Sequence, residues 1–262
     1  MARLMTGLFL LFTGSAAVFA SSGAAQDDSL YLVMLYMHQI LFVFWLGPDI
    51  GIYMWSTKAT NPELTPAQRV AAGRIMRGID IIPKVCMSLM LSVGGILTEL
   101  MGIEHPWWQM IGIVLLGPVW LTLTLLVHFR AGTDAGAKLA RIDIWFRWLV
   151  VLSVIGSIGL SMTTGRLTEF PWVTGKLMLF AAVVFFSIIM RTRLQNFIAG
   201  IDQLDATGGT TPELDRQLKQ SMSGARTFMF ATWLGLALAA GLGMAQPDST
   251  RIDTVPAELP TN

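Results

Sequence analysis

The sequence predicts an all-α protein, a transmembrane bundle of about six spans that follows an N-terminal signal peptide. Of the 262 residues, 53% are hydrophobic and only 13% are charged, whereas a soluble domain carries about 25% charged residues. Six apolar runs are close to the roughly 20 residues that cross a bilayer. The basic residues are concentrated in alternate connections between these runs, as expected of a multi-pass membrane protein.

The first 25 residues have the order of a secretory signal peptide. Arg3 precedes the apolar run LFLLFTGSAAVF, and small residues around Ala20 and Ala25 follow it as candidate cleavage sites. A short basic region, an apolar region and a small-residue site in this order are typical of a segment that is removed from the mature protein. A retained signal anchor is the alternative, and it would add one helix without changing the orientation of the later ones.

The six spans are expected at 31–56, 80–102, 107–129, 145–163, 172–191 and 225–245. Together they would form one membrane domain, 26–246. Turn residues at 61–66 and 205–212 indicate breaks between helices, and a polar helix is expected at 213–223. The tail, 247–262, is rich in Pro, Asp and Thr and has no apolar period, so we expect it to be disordered outside the membrane.

The distribution of charge predicts the orientation. Thirteen Lys and Arg residues follow the first, third and fifth spans, whereas only Arg166 and Arg251 lie on the opposite side. Because basic loops remain in the cytoplasm, both ends of the mature chain are expected in the periplasm of a bacterial inner membrane. A cleaved signal peptide requires the same placement of the N-terminus.

The first span contains a histidine, and an ionisable residue inside the bilayer needs a partner or a function. At 3.6 residues per turn, one line along this helix carries His38, Trp45, Asp49 and Ile52. We expect that face to point into the bundle. The other faces carry apolar residues for contact with lipid or flat packing: Leu32, Leu35, Ile40, Phe44 and Ile50.

Depth along the spans sorts the ionisable residues into two groups. Near the outer surface lie His38, Glu99, Glu104, His105 and Lys176, with Met34, Met37, Met101, Met162 and Met178 at similar depth. Near the cytoplasmic surface lie Asp49, Asp80, Lys84, His128 and Arg130. His38 and His128 are therefore too far apart to ligate one metal ion.

Several of these residues have an ordinary structural explanation. Asp80 and Lys84 are four residues apart, the spacing of an ion pair on one helix. His128 is either an interfacial anchor or a ligand at a second, inner site. His105 stands beside Pro106 and two tryptophans and is expected in an interfacial loop.

His38 and Lys176 are the strongest candidates, because each lies on a span beside an aromatic residue. His38 is expected to bind a metal or to form a hydrogen bond between helices. A buried lysine loses its charge or finds an anion, and its neutral amine would act as a metal ligand or proton carrier. The alternative is that Lys176 extends to the outer interface.

Two stripes of small residues predict close contacts between helices. Residues four apart on the fourth and sixth spans form them: Ser153, Ser157 and Ser161, and Gly235, Ala239 and Gly243.

The pattern His38-x6-Trp45-x-Gly47, a basic loop, Ile82-Pro83 and then Gly94-Gly95 resembles the first helix pair of the HemJ-type protoporphyrinogen oxidases. The segment Trp172-x3-Lys176 is similar to the start of a later helix in that family. The run 156–193 also resembles the membrane core of the CopD copper-resistance proteins. The resemblance implies a bundle that holds one b-type haem. It implies His38 as the axial ligand of the iron, Trp45 in the cofactor-binding shell, and Lys176 as a cofactor-binding or catalytic residue.

Three functions remain open from the sequence. The first is a haem protein that exchanges electrons with quinone or a periplasmic redox partner, with a HemJ-like oxidoreductase as its enzymatic form. The second is copper handling, because Met34, Met37 and His38 offer soft thioether and imidazole ligands. The third is a structural subunit without a cofactor, in which 191–224 would dock a partner within a homo-oligomer or membrane complex.

Other classes are not indicated. The only cysteine, Cys86, lies in an apolar run, so there is no disulfide framework, thiolate cluster or CxxCH motif for covalent haem. A phosphate-binding glycine loop is also absent. No basic surface typical of nucleic-acid binding is apparent.

Overall fold

The computed structural model describes residues 24–245, which form seven α-helices: α1 (Ala24–Ala59), α2 (Pro66–Ile79), α3 (Ile81–Leu100), α4 (Trp107–Phe129), α5 (Asp134–Thr164), α6 (Pro171–Thr207) and α7 (Pro212–Ala245). The expected tail, 247–262, lies outside the described residues. So does the expected signal peptide, apart from its last two residues, which begin α1.

Six helical segments are long and apolar enough to cross a membrane, which confirms the predicted fold class. Only Asp80, in right-handed helical conformation, separates α2 from α3, and the two helices together provide one of these segments. The predicted bounds of the third span, 107–129, are those of α4. The helix α3 lies within the predicted span 80–102, whereas α1, α5, α6 and α7 extend beyond their apolar runs because polar helical turns continue them.

The spanning helices form a ring. Along it α1 packs on α3, α3 on α4, α4 on α5, α5 on α6 and α6 on α7, and a slight contact between α7 and α1 closes it. Successive spans run in opposite directions. We call the end formed by the connections 101–106 and 165–170 the His38 end, and the end formed by 60–65, 130–133 and 208–211 the basic end.

A three-helix cap covers the ring at the basic end. It contains α2 and the portions of α6 and α7 that extend beyond the predicted spans. The Thr65 side chain caps α2, as the turn at 61–66 predicts. Residues of the three helices share one apolar core: Val70, Ala72, Met76, Phe197, Ile201, Leu204, Leu214, Leu218 and Met222. The apolar face of the segment 191–224, a docking surface in the third sequence-based hypothesis, is therefore already covered by α2 and by the segment itself.

The predicted faces of α1 are confirmed. Trp45, Asp49 and Ile52 are buried, whereas Ile40 and Phe44 are exposed on the outside of the ring. Leu32 and Ile50 are exposed as well. Leu35 differs from the prediction, because it is half-buried and lines a cavity at the His38 end.

Candidate cofactor cavity

A cavity of about 1080 Å³ occupies the centre of the ring at the His38 end. It is at the upper limit of the roughly 300–1,000 Å³ that small-molecule sites span. All six spanning helices and both connections at this end line it. Most of its wall is apolar, so it would suit a large, mostly apolar ligand.

His38 lies in the wall of this cavity. Its Nδ1 atom is buried and has no hydrogen-bond partner, and the expected hydrogen bond between helices is not formed at this atom. A Cβ placed on Gly94 of α3 would lie 3.2 Å from Cε1 of His38 and 3.7 Å from Nδ1. The glycine therefore gives the imidazole its space against α3, and Nδ1 lies on this packed side of the ring without a hydrogen bond.

Trp45 lies two turns further along α1 and also lines the cavity. It is almost completely buried, and its ring meets Phe180 of α6 edge to face with 6.4 Å between centroids. Phe42 and Phe146 extend the same wall. The inner part of the cavity is thus aromatic, which would suit a flat apolar molecule.

Lys176 reaches the same cavity from α6, so the structure brings the two strongest sequence candidates together. Its ammonium lies over the Trp172 ring at 5.3 Å, and its end contacts Gly243 of α7. Among the described residues, no carboxylate forms an ion pair with Lys176.

The charged residues that line the cavity are all cationic in the described part of the chain. They are Lys176 and Arg166, and neither Asp nor Glu is present in the wall. Arg166 donates to the Glu104 carbonyl oxygen at 3.1 Å and to Ser161 Oγ at 3.0 Å. Both formal charges in the wall are therefore positive, although Glu99, which does not line the cavity, interacts with Arg166 and His105 and offsets part of this charge.

His105 also lines the cavity, although it lies in a connection as predicted. Its side chain is only 8% exposed, and Nδ1 lies 2.7 Å from Oε2 of Glu99. Its backbone N–H donates to the same oxygen at 2.9 Å. Burial lowers the pKa of His105, and the positive charge of Arg166 lowers it further, whereas the hydrogen bond to Glu99 opposes the shift.

The inner candidates lie outside the cavity, and several of them have partners of their own. Asp80 and Lys84 form the predicted ion pair, and Asp49 accepts a hydrogen bond of 2.9 Å from Trp233 Nε1. His128, at the basic end of α4, has its ring against Phe129 and does not line the cavity. Within 24–245, no three His, Cys, Asp or Glu residues are grouped to hold a metal ion.

The methionines of the copper hypothesis are also separated from the cavity. Met34 is buried in an apolar cluster between α1 and α3, and Met37 packs against that cluster. Neither of them lines the cavity that His38 reaches.

The sequence did not predict a buried ionic cluster between α5 and α6. Arg147 and Arg191 were expected in basic loops, but they lie on α5 and α6 and share the carboxylate of Asp143. Arg147 Nε is 2.9 Å from Asp143 Oδ2, and Nη1 donates to Ser187 Oγ at 2.8 Å. The only sequence signal was the four-residue spacing of Asp143 and Arg147, which matches that of Asp80 and Lys84.

The stripes of small residues have mixed roles. A Cβ on Gly235 would lie 2.9 Å from Val183, so this glycine allows α7 to approach α6 as predicted. Ser157 accepts a hydrogen bond of 2.9 Å from Gln109 of α4. Ser153 instead faces the cavity.

Fold and site define a six-span helical membrane protein with a large, mostly apolar cavity at one end, which Lys176 and Arg166 line. Comparison of the chain with models of known families, with curated proteins and with solved structures finds no match. The resemblance to HemJ-type and CopD proteins therefore stays a prediction.

Proposed function

We propose that this chain binds one b-type haem in the cavity and uses it for electron transfer in a bacterial inner membrane. The observation that carries the proposal is the imidazole of His38, which has a buried Nδ1 without a partner and lies in the wall of a large apolar cavity. Imidazole is a common axial ligand of haem iron in proteins.

The other residues of the wall fit the same group. Haem is a flat apolar ring with two carboxylates, and the cavity offers aromatic walls around Trp45 and two cations, of which Lys176 forms no ion pair with a carboxylate among the described residues. Lys176 and Arg166 would neutralise the carboxylates, because an unpaired charge of either sign is costly in a dry interior. When bound, a haem supplies exchange of one electron between ferric and ferrous iron.

The roles of the residues follow from their places. His38 would hold the iron, with Gly94 leaving space for the imidazole, and Trp45 would form part of the apolar shell that excludes water. Lys176 would bind a carboxylate of the cofactor. In the HemJ-like enzymatic form of the proposal, Lys176 would hold or move a proton at Nζ beside the substrate, as a catalytic residue.

The partner of this electron exchange would be a quinone or a periplasmic redox protein. This placement follows from the expected orientation, with the His38 end toward the periplasm and the basic end toward the cytoplasm. A periplasmic protein would approach the connections 101–106 and 165–170, whereas a quinone would approach from the bilayer.

Replacement of the histidines tests the ligand assignment. We expect His38→Ala to lose most of the bound haem while the protein still elutes as a folded species in detergent. His128→Ala is the matched control, because it removes the same ring at the basic end and should retain the haem of the unchanged protein. The measurement is the ratio of Soret to protein absorbance.

Unchanged haem content in His38→Ala would refute the assignment of His38. A similar loss in both folded variants would instead indicate a second haem at the inner site.

A further inference from the structure

The cavity has an opening in the side of the ring, between α4 and α5. Residues that line the cavity and are at the same time exposed are most numerous on α5, and the neighbouring α4 adds two more: Leu149, Ser153, Gly156 and Leu160 on α5, and Trp108 and Gly112 on α4. From Leu149 to Leu160 the opening extends about 16 Å along α5, at 1.5 Å per residue.

Two glycines keep this opening free. A Cβ on Gly112 or on Gly156 would meet no atom within 4 Å, although both residues belong to the cavity wall. The cavity-lining glycines of α7 differ, because Val183 fills the space against Gly235 and Lys176 fills the space against Gly243. The gap between α4 and α5 is thus a part of the wall that lacks side chains, whereas the exposed cavity-lining residues of α1 and α7 that carry side chains are Gln39, Val43 and Met244.

The surface around the opening is apolar. Ile111 and Leu115 of α4 and Leu152 and Ile155 of α5 are all about half exposed or more on the outside of the bundle. These residues lie on predicted spans, so the opening faces the hydrocarbon of the bilayer and not water. A molecule that passes through it must be soluble in lipid.

Polar groups just inside the opening select the head of that molecule. Gln109 Nε2 donates to Ser157 Oγ at 2.9 Å across the two helices, and the Ser153 hydroxyl has no hydrogen-bond partner among the described residues. These groups are neutral and can donate hydrogen bonds, so they match a neutral ring that carries oxygen acceptors. The apolar rim, with Leu149 and Leu160, matches a hydrocarbon tail.

We propose that the gap between α4 and α5 is a lateral entrance through which a lipid-soluble molecule with an oxygen-bearing ring and an apolar tail, the chemistry of a membrane quinone, enters the cavity. Binding of this molecule requires no haem. Only the conclusion that it exchanges electrons with the protein rests on the proposed function. The entrance would make the bilayer the source of the partner.

Leucine side chains at the glycines would close the entrance. Gly112→Leu and Gly156→Leu fill open space, so they should not disturb the fold. Gly47→Leu and Gly159→Leu are matched controls, because a Cβ at these positions also meets nothing within 4 Å, but neither residue lines the cavity. Each variant is reconstituted in lipid nanodiscs and illuminated with an azido derivative of decylubiquinone.

We expect saturable labelling of peptides from α4 and α5, displaced by unlabelled decylubiquinone. It should fall about tenfold in Gly112→Leu and Gly156→Leu and remain unchanged in Gly47→Leu and Gly159→Leu. Equal labelling of all four variants, or labelling that decylubiquinone does not displace, would overturn the entrance. The second result would indicate a groove filled by phospholipid.

Haem content of the same samples separates the two proposals. Labelling that depends on the glycines in a protein without haem would support the entrance and refute the haem assignment. If the protein contains haem but the glycine substitutions leave labelling unchanged, the entrance is refuted and the haem assignment is not.

Discussion

The imidazole of His38 and the bare backbone of Gly94 form a matched pair between α1 and α3. The histidine could be predicted as a site residue, because an ionisable group on an apolar span is conspicuous in sequence. The role of Gly94 could not be predicted, because glycines on spans usually allow close packing between helices. Only the distance of 3.2 Å from a Cβ at this position to the His38 ring distinguishes the two roles.

Lys176 is the second residue of the cavity that is expected to bind the haem. We expect Lys176→Met to weaken haem binding about tenfold or more, because a hydrogen bond to a charged group is worth about 1.5–3 kcal/mol. Methionine keeps an unbranched apolar side chain and removes the ammonium, with both its charge and its hydrogen-bond donors. The measurement is the haem retained during titration with apomyoglobin, a competing haem acceptor.

Lys138→Met is the control for Lys176→Met, because Lys138 is exposed near the basic end. Equal haem retention in both variants would show that the charge of Lys176 has no part in binding.

His105 makes stability depend on pH. Its pKa in the folded protein is below the ordinary value of 6.5 because of burial. The unfolded chain therefore binds more protons as the pH falls, and the protein loses stability below about pH 6.5 until the folded pKa is passed. We expect the Tm of the unchanged protein in detergent to fall between pH 7.5 and pH 5.5. The Tm of His105→Gln should fall less over the same range. An identical pH profile in the variant would contradict this origin.

At the scale of elements, the periodicity of α1 predicted which face is buried, and the turn at 61–66 predicted the start of α2. The ionic cluster of Asp143, Arg147 and Arg191 could not be predicted. A charged residue near the end of an apolar run has the same sequence pattern whether it extends to the interface or turns inward. Neighbours from other helices decide between these placements, here Ser187 on α6.

The cluster itself gives a prediction for stability. Asp143→Asn leaves two arginines without their counter-charge in a site where Asp143 is 1% exposed and Arg147 3%. Loss of one member of a buried ion pair costs about 3 to 5 kcal/mol. We expect a decrease of this size in the free energy of unfolding, measured by denaturant titration in detergent.

Asp202→Asn is the comparison for Asp143→Asn, because its ion pair with Arg77 is exposed at the surface of the cap. Exposed pairs contribute about 0 to 1 kcal/mol. Similar small losses in both variants would show that the buried cluster does not hold α5 to α6.

At the scale of the whole molecule, the number of spans and their alternation could be predicted, since hydropathy and basic connections are local properties. The ring of helices, the cavity and its opening could not be predicted from the sequence. They depend on which helices become neighbours, and the wall combines residues as distant in sequence as Leu35 and Met244. Single helices show polar and apolar faces, but only their assembly shows the space between them.

The absorption spectrum of the detergent-purified protein, oxidised and then reduced with dithionite, tests the central claim most directly. The proposed function predicts a Soret band, reduced bands of a b-type haem and a pyridine haemochrome that corresponds to one haem per chain. A colourless, folded protein, or one that carries copper in place of iron, would contradict it.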